Sequence, residues 1–177
     1  MARTRRRRGF TLIELMIALL LTSLLLTAIA TAMHAAMTAH EENTELASMT
    51  QTARVLLMRM RREVRTAAAV DHSAAANRLV IIPPDDGSGL QEISYEYNAV
   101  TKVLTYRRVV NGTASVQTVL DGTSQVMLTA FQATHDVAQD DQGIDYTRRT
   151  VVQLTFAADN QTSSLTCSAS PRRNQSY

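Results

Sequence analysis

The segment LMIALLLTSLLLTAIATAM, residues 15–33, decides how this chain folds, because its 19 consecutive positions carry no charged side chain. A helix rises about 1.5 Å per residue, so these positions extend over roughly 28 Å, close to the ~30 Å hydrocarbon core of a bilayer. Residues 10–82 also contain neither glycine nor proline, which lets a helix continue without interruption. We therefore expect a transmembrane helix over residues 10–33.

Positive charge is concentrated in front of this helix. Five of the 18 basic residues lie within the first eight positions: Arg3, Arg5, Arg6, Arg7 and Arg8. Because positive charge stays on the cytoplasmic side, the expected orientation places the N-terminus inside and residues 41–177 outside. The other 13 basic residues are outnumbered by the 16 acidic ones. Without tryptophan or a basic face interleaved with aromatics, we expect no nucleic-acid-binding function.

A cleaved secretory signal is the alternative explanation of the apolar segment. Ala28–Ala30 and Ala30–Ala32 both have the small-x-small pattern that signal peptidase recognises. The apolar run is longer than the usual core of a signal peptide, and helical sequence continues past these positions. A membrane-spanning helix is therefore favoured, and a secreted chain that begins near Met33 is the competing prediction.

Residues 34–72 have the pattern of an amphipathic helix that extends the span. Three glutamates, Glu41, Glu42 and Glu45, precede a group of arginines. Apolar side chains recur every three or four positions and form one stripe: Leu46, Met49, Ala53, Leu56, Met60, Val64 and Ala67. We expect the C-terminal domain of the same chain to cover this stripe, the arginines to be solvated, and neighbouring subunits to cover what remains.

Residues 73–177 are predicted to form a β-rich domain, because the apolar period changes to two near residue 78. The predicted strands are 78–83, 91–98, 102–110, 114–120, 125–133, 149–159 and 163–169. Asn111–Gly112 and Asp121–Gly122 are both signals for two-residue hairpins. One long helix followed by short strands predicts an α+β fold, in which an antiparallel sheet packs on the outer half of the helix.

The chain offers few residues for catalysis. Cys167 is the single cysteine, so an intramolecular disulfide is excluded, and a nucleophilic pair of Cys167 with His135 is disfavoured. Phosphate-binding, dinucleotide-binding and serine-hydrolase motifs are absent from the sequence. The four histidines, His34, His40, His72 and His135, lack the spacing of metal ligands. We expect no enzymatic activity, no cofactor and no small-molecule substrate.

An acidic segment, HDVAQDDQGID at residues 135–145, is predicted to be a loop. Its carboxylates are hard oxygen ligands of the kind that calcium prefers: Asp136, Asp140, Asp141 and Asp145. Their spacing differs from that of an EF-hand. A solvated loop is therefore favoured, and calcium binding is the weaker alternative.

Glu14 does not fit the prediction of a helix that faces only lipid. It lies within FTLIELMIALL, residues 10–20, where a carboxylate costs about 2.5–3.5 kcal/mol on insertion scales. An ionisable residue inside a membrane indicates a functional site, provided that a partner is named. The alternative is that Glu14 lies near the cytoplasmic interface and reaches the lipid headgroups. Position alone leaves both open.

The segment RRRRGFTLIELMIALLL, residues 5–21, resembles the N-terminal signature of type IV pilins and of type II secretion pseudopilins. The resemblance rests on a basic leader, residues 1–9, that ends in Gly9, on Phe10, and on Glu14 five places after the junction. It implies that a membrane-embedded prepilin peptidase cleaves between Gly9 and Phe10 and N-methylates Phe10. The arginines Arg5, Arg6, Arg7 and Arg8 would hold the leader at the anionic cytoplasmic face.

This resemblance suggests a role for Glu14 in assembly. Cleavage would leave a positive amine on Phe10 in apolar surroundings, where it needs a counter-charge. Within one helix Glu14 lies one turn from that amine, and between staggered chains Glu14 of one copy can meet Phe10 of the next. Such a pair fixes axial register without having to add net stability.

Two further features refine the resemblance. The helix carries neither proline nor glycine around Thr31, unlike many major pilins, and ARVLLMRMRREVRTA at residues 53–67 resembles J-type minor pseudopilins and W-type minor pilins. The implied protein is a minor structural subunit. It would be held in the bacterial inner membrane and then assembled with other pilin-like subunits into a periplasmic pseudopilus or type IV pilus. The alternative is a membrane-anchored or secreted periplasmic binding module or enzyme that forms no filament.

Overall fold

The structure is a computed structural model that describes residues 10–121, 127–158 and 161–172. One long helix, α1 (Leu12–Thr66), precedes the strands. In chain order the strands are β1 (Ala69–Val70), β2 (Arg78–Ile82), β3 (Leu90–Asn98), β4 (Val103–Val110), β5 (Thr113–Leu120), β6 (Met127–Gln139), β7 (Asp145–Ala158) and β8 (Gln161–Ala169). The chain forms two compact units, Met1–Thr44 and Glu45–Tyr177. The predicted α+β arrangement of a long helix followed by antiparallel sheet is confirmed.

The helix ends earlier than its predicted boundary at residue 72. It stops at Thr66, and Ala69–Val70 forms the short strand β1, which pairs antiparallel with β2. Val70 is buried three positions after the buried Ala67. That spacing continues the helical period, so the sequence pattern alone extends the helix too far.

The strands form two antiparallel sheets, whereas the sequence predicted one. The first has the order β1-β2-β3-β4-β5 and the second has the order β6-β7-β8. The hairpin predicted at Asp121–Gly122 is therefore wrong, since β5 and β6 belong to different sheets; Gly122 itself lies outside the described residues. A two-residue turn signal depends only on the residues of the turn. The pairing of β6 instead depends on β7, to which it is hydrogen-bonded from Met127↔Ala157 to Gln139↔Asp145.

The other two-residue hairpin is confirmed. Asn111 and Gly112 connect β4 to β5, and their φ angles are 49° and 78°. A type I′ turn requires positive φ at both positions, which asparagine tolerates and glycine adopts at no steric cost. The dipeptide therefore fixes this turn by its own conformational preference.

The predicted apolar stripe of α1 lies in the hydrophobic core of the second unit. Six of its seven members are buried and Leu46 is partly buried. The stripe belongs to one cluster with side chains of both sheets, including Tyr95, Leu104 and Phe156. The prediction that the chain's own β domain covers the stripe is thus confirmed, and Leu57 is a further buried residue that the stripe omitted.

A polar cluster fixes α1 against the first sheet. The Tyr95 hydroxyl donates to Glu63 Oε2 at 2.7 Å, and Arg59 Nε donates to Glu63 Oε1 at 3.1 Å. The Arg59 guanidinium carbon also lies 4.2 Å from the centroid of the Tyr106 ring. Burial, followed by the bond to Glu63, raises the pKa of Tyr95 far above its ordinary value. The tyrosine therefore stays protonated and remains a donor.

We expect Tyr95→Phe to lower the free energy of unfolding by about 1–2 kcal/mol, because the partly buried Glu63 carboxylate loses one donor. The measurement is thermal or chemical unfolding of the full chain in detergent. In a Glu63→Ala background the same substitution should cost clearly less, since the bond is already absent. Equal costs in the two backgrounds would show that the hydrogen bond does not stabilise the domain.

Candidate functional site

Thr11 and Glu14 form a reciprocal cap at the start of α1. The Glu14 amide donates to Thr11 Oγ1 at 3.3 Å, while the Thr11 amide and hydroxyl donate to Glu14 Oε2 at 3.2 and 3.1 Å. This is the capping box, in which an N-cap threonine and an acidic residue three positions later satisfy otherwise unpaired amides. Glu14 thus has a structural role that the sequence analysis missed, although the pattern Thr-x-x-Glu carries its signal.

The cap also directs the Glu14 carboxylate toward the beginning of the helix. Oε2 contacts the backbone amide of Thr11, the residue that directly follows Phe10. Phe10 lies before the helix and is 85% exposed. Negative charge is favourable at a helix N-terminus, where the backbone carries partial positive charge. The carboxylate is therefore held at Thr11, the residue next to Phe10, whose backbone nitrogen would become the chain terminus after cleavage.

The apolar part of α1 is not covered by any described residue of its own unit. All described residues from 10 to 44 are exposed, among them fifteen large apolar side chains between Phe10 and Met37. Within this part of α1, residues 15–33 carry no charged side chain, and none of them is buried. Burying each such side chain is worth about 1.5–3 kcal/mol, so this surface requires lipid or other helices around it.

The hydroxyl groups of this segment are compatible with a lipid environment. Each bonds to a backbone carbonyl one turn earlier, as in Thr22 Oγ1 to Ala18 O at 2.9 Å and Thr27 Oγ1 to Ser23 O at 2.8 Å. Ser23 and Thr31 do the same. In hydrocarbon every polar group must be satisfied internally. Glu14 is then the one ionisable residue of residues 10–33.

Several predicted site residues fall outside the described structure. Gly9 and the leader arginines, Arg5, Arg6, Arg7 and Arg8, precede the first described residue. The cleavage junction and the recognition of the leader therefore stay predictions from the sequence.

The acidic segment is a hairpin rather than a long loop. Residues 135–139 belong to β6 and Asp145 begins β7, which leaves a turn of residues 140–144. Asp140 Oδ1 accepts the amides of Gln142 and Ile144, each at 2.9 Å, and Asp136 Oδ2 lies 3.9 Å from Arg149 Nη2. In the described part of the chain, histidine, cysteine, aspartate and glutamate form no group of three suited to a metal ion. Calcium binding stays a prediction that a calcium titration of Tm tests.

Cys167 and His135 have separate surroundings. Cys167 lies on β8, and its Sγ is 3.7 Å from the Leu57 carbonyl oxygen, while burial raises the pKa of the thiol. His135 lies on β6, with Nδ1 3.2 Å from Thr150 Oγ1. Strand β7 runs between β6 and β8. A half-buried thiol with a raised pKa is a poor nucleophile, which agrees with the disfavoured status of this pair.

His135 makes the stability of the second unit depend on pH. Burial, and then the nearby His72, lower its pKa below the ordinary value, and Asp71 opposes this weakly. The unfolded chain therefore takes up this proton first as the pH falls, and stability declines as pH drops through about 6.5. We expect Tm to fall between pH 7.5 and 5, and to fall less in His135→Gln. Identical slopes in the two proteins would contradict this assignment.

Residues 4–30 match the family model of the prokaryotic N-terminal methylation motif. The match covers 27 of the 177 residues, including the leader arginines, the Gly9–Phe10 junction and Glu14. It identifies a type IV pilin-like signal, and the family that this motif defines is structural rather than enzymatic. No curated protein and no solved structure matches the chain. The signal and the exposed apolar helix together fit a membrane-anchored, single-pass protein.

Proposed function

We propose that the chain is a minor pilin-like subunit that prepilin peptidase cleaves between Gly9 and Phe10 and methylates at Phe10. The processed subunit assembles with other pilin-like subunits into a periplasmic pseudopilus or a type IV pilus, which supports protein secretion or pilus function. The observation that carries this proposal is the methylation motif at residues 4–30, which precedes and overlaps an apolar helical segment, residues 12–44, whose side chains are all exposed.

Assembly exchanges one apolar environment for another. In the precursor, lipid surrounds the exposed side chains of residues 10–33, with the leader on the cytoplasmic side. In the filament, neighbouring helices replace the lipid. Because hydrocarbon is as apolar as the side chains themselves, this exchange depends on packing and on polar pairs rather than on the hydrophobic effect. A polar pair at a defined depth then determines register.

Glu14 supplies one half of that pair and the processed terminus supplies the other. The cap holds the Glu14 carboxylate beside Thr11, within reach of an amine on Phe10 of the same chain or of a staggered neighbour. A buried pair of this kind specifies a unique arrangement, as buried polar groups do in coiled coils. The second unit has a hydrophobic core of its own, and its surface is presented to neighbouring subunits or cargo.

The proposal is tested by fractionating cells that produce the chain with and without prepilin peptidase. With the peptidase, we expect a shortened chain, part of which sediments with sheared filaments. Without it, the chain should keep its leader and stay entirely in the inner membrane. A single-pass membrane protein that lacks the motif serves as the control and should behave identically in both strains. If the distribution of the chain is unchanged by the peptidase, an anchored binding module is the better explanation.

A further inference from the structure

One exposed face of α1 in the second unit is strongly basic. This arginine face consists of Arg54, Met58, Arg61, Arg62 and Arg65, which recur at helical spacing and are all exposed. Its arginines have no ion pair within the described residues, whereas Arg59, Arg78, Arg107 and Arg149 each pair with a carboxylate. Met58 is 62% exposed and adds an apolar side chain to this face. Arg172 joins Met58, Arg61, Arg62 and Arg65 in lining a shallow depression of about 450 Å³.

The same helix carries an acidic face nearer its N-terminus. It consists of Glu41, Glu42 and Glu45, which likewise form no ion pair within the described part of the chain. The acidic face and the arginine face thus lie at different positions along the sequence, with a spacing of 19 residues from Glu42 to Arg61.

We infer that the arginine face of one copy binds the acidic face of a second, parallel copy that is shifted along it by about 19 residues, the spacing from Glu42 to Arg61. This inference rests on the proposed function, because it places the contact between neighbouring subunits of a filament. Copies inserted in one membrane with the same orientation have parallel helices. Side-by-side packing without a shift would bring like charges together, which disfavours that register.

The shift between parallel copies determines what kind of assembly results. Each copy uses its arginine face toward one neighbour and its acidic face toward another, so the interface joins two different surfaces. Such a heterologous contact does not close into a dimer and instead extends in one direction. Exposed ion pairs add little stability, and their effect here is on register and on the choice of partner.

The first test is disulfide cross-linking between two differently tagged full-length copies in cells with intact processing. Both copies carry Cys167→Ser. One also carries Glu42→Cys and the other Arg61→Cys. We expect several-fold more cross-linked product from this pair than from Glu42→Cys with itself or Arg61→Cys with itself. Equal or lower yield from the mixed pair overturns the inference.

The second test exchanges the charges. One variant carries Glu41→Lys, Glu42→Lys and Glu45→Lys, and the other carries Arg61→Glu, Arg62→Glu and Arg65→Glu. Each variant alone should lose most of the association between tagged copies, because like charges then face each other. The two variants produced together should restore it, because both contacts become attractive again. Failure of the mixture to restore association overturns the inference and would fit binding of the arginines to anionic lipid instead.

Co-sedimentation of the two tags with filaments separates this inference from the proposed function. If unmodified tagged copies enter filaments but the mixed cysteine pair is not enriched, the subunit assignment stands and the charge contact is wrong. If tagged copies never enter filaments, the assignment as a subunit fails, and the contact fails with it.

Discussion

Glu14→Gln should be inserted and cleaved like the unmodified chain and yet be nearly absent from filaments. Glutamine suits the same position of a capping box, so the start of α1 stays capped. The neutral amide cannot balance the amine that cleavage leaves on Phe10. Leaving one member of a buried ion pair without its partner costs about 3–5 kcal/mol, which corresponds to a loss of more than a hundredfold in assembly. The measurement is the fraction of processed chain that sediments with filaments.

Thr11→Ala is the matched control for the two roles of Glu14. It removes the capping hydroxyl but keeps the carboxylate, and loss of an N-cap costs about 1 kcal/mol. We therefore expect a modest decrease in incorporation. The opposite result, with Glu14→Gln assembling normally and Thr11→Ala failing, would show that Glu14 acts through the cap it forms with Thr11 and not through its charge.

Gly9→Val should leave the leader on almost all of the chain. The residue before the cleaved bond must enter a narrow protease site in an extended form, and glycine does so without a side chain to accommodate. A branched side chain would obstruct that approach, so the amine on Phe10 would never form. The uncut chain should remain in the membrane and be excluded from filaments. Gel mobility or intact mass of the membrane fraction provides the readout.

Thr4→Val is the matched control, because it introduces the same side chain within the leader but away from the junction. We expect it to be cleaved normally. Cleavage of Gly9→Val at the rate of the unmodified chain would mean that the junction lies elsewhere.

The sequence predicts the features that depend on local periodicity. The stripe from Leu46 to Ala67 lies in the core, and β2, β3 and β4 fall within one or two residues of their predicted positions. Asn111–Gly112 forms its turn because the positive φ angles are a property of those two residues. Each of these features depends on residues that are close together in the sequence. For that reason each can be predicted without the structure.

The features that the sequence did not predict depend on contacts between distant segments. β6 pairs with β7 instead of β5, and the pairing draws most of the acidic segment into a hairpin. β1 exists because Val70 is buried and Ala69 pairs with Ile82, not because two residues favour a strand. No local pattern distinguishes one sheet from two, since alternation gives the buried face of a strand but not its partner.

The candidate site divides in the same way. Glu14 is conspicuous as a lone carboxylate among apolar residues, so the sequence singles it out. The hydrogen bonds between Glu14 and Thr11 were not predicted, although the two residues are only three positions apart. The sequence analysis interpreted Glu14 only by its charge. The arginine face has no ion pair among the described residues, and it is recognised only when the structure shows which arginines have carboxylate partners.

The N-terminal residue of the chain, purified from cells with intact prepilin peptidase and analysed by mass spectrometry, provides the decisive observation. Our interpretation predicts a chain that begins with N-methylated Phe10. A chain that still begins at Met1 would lack the amine that Glu14 is proposed to balance, and one that begins near Met33 would have lost Glu14 altogether. Either result would contradict assembly through this pair.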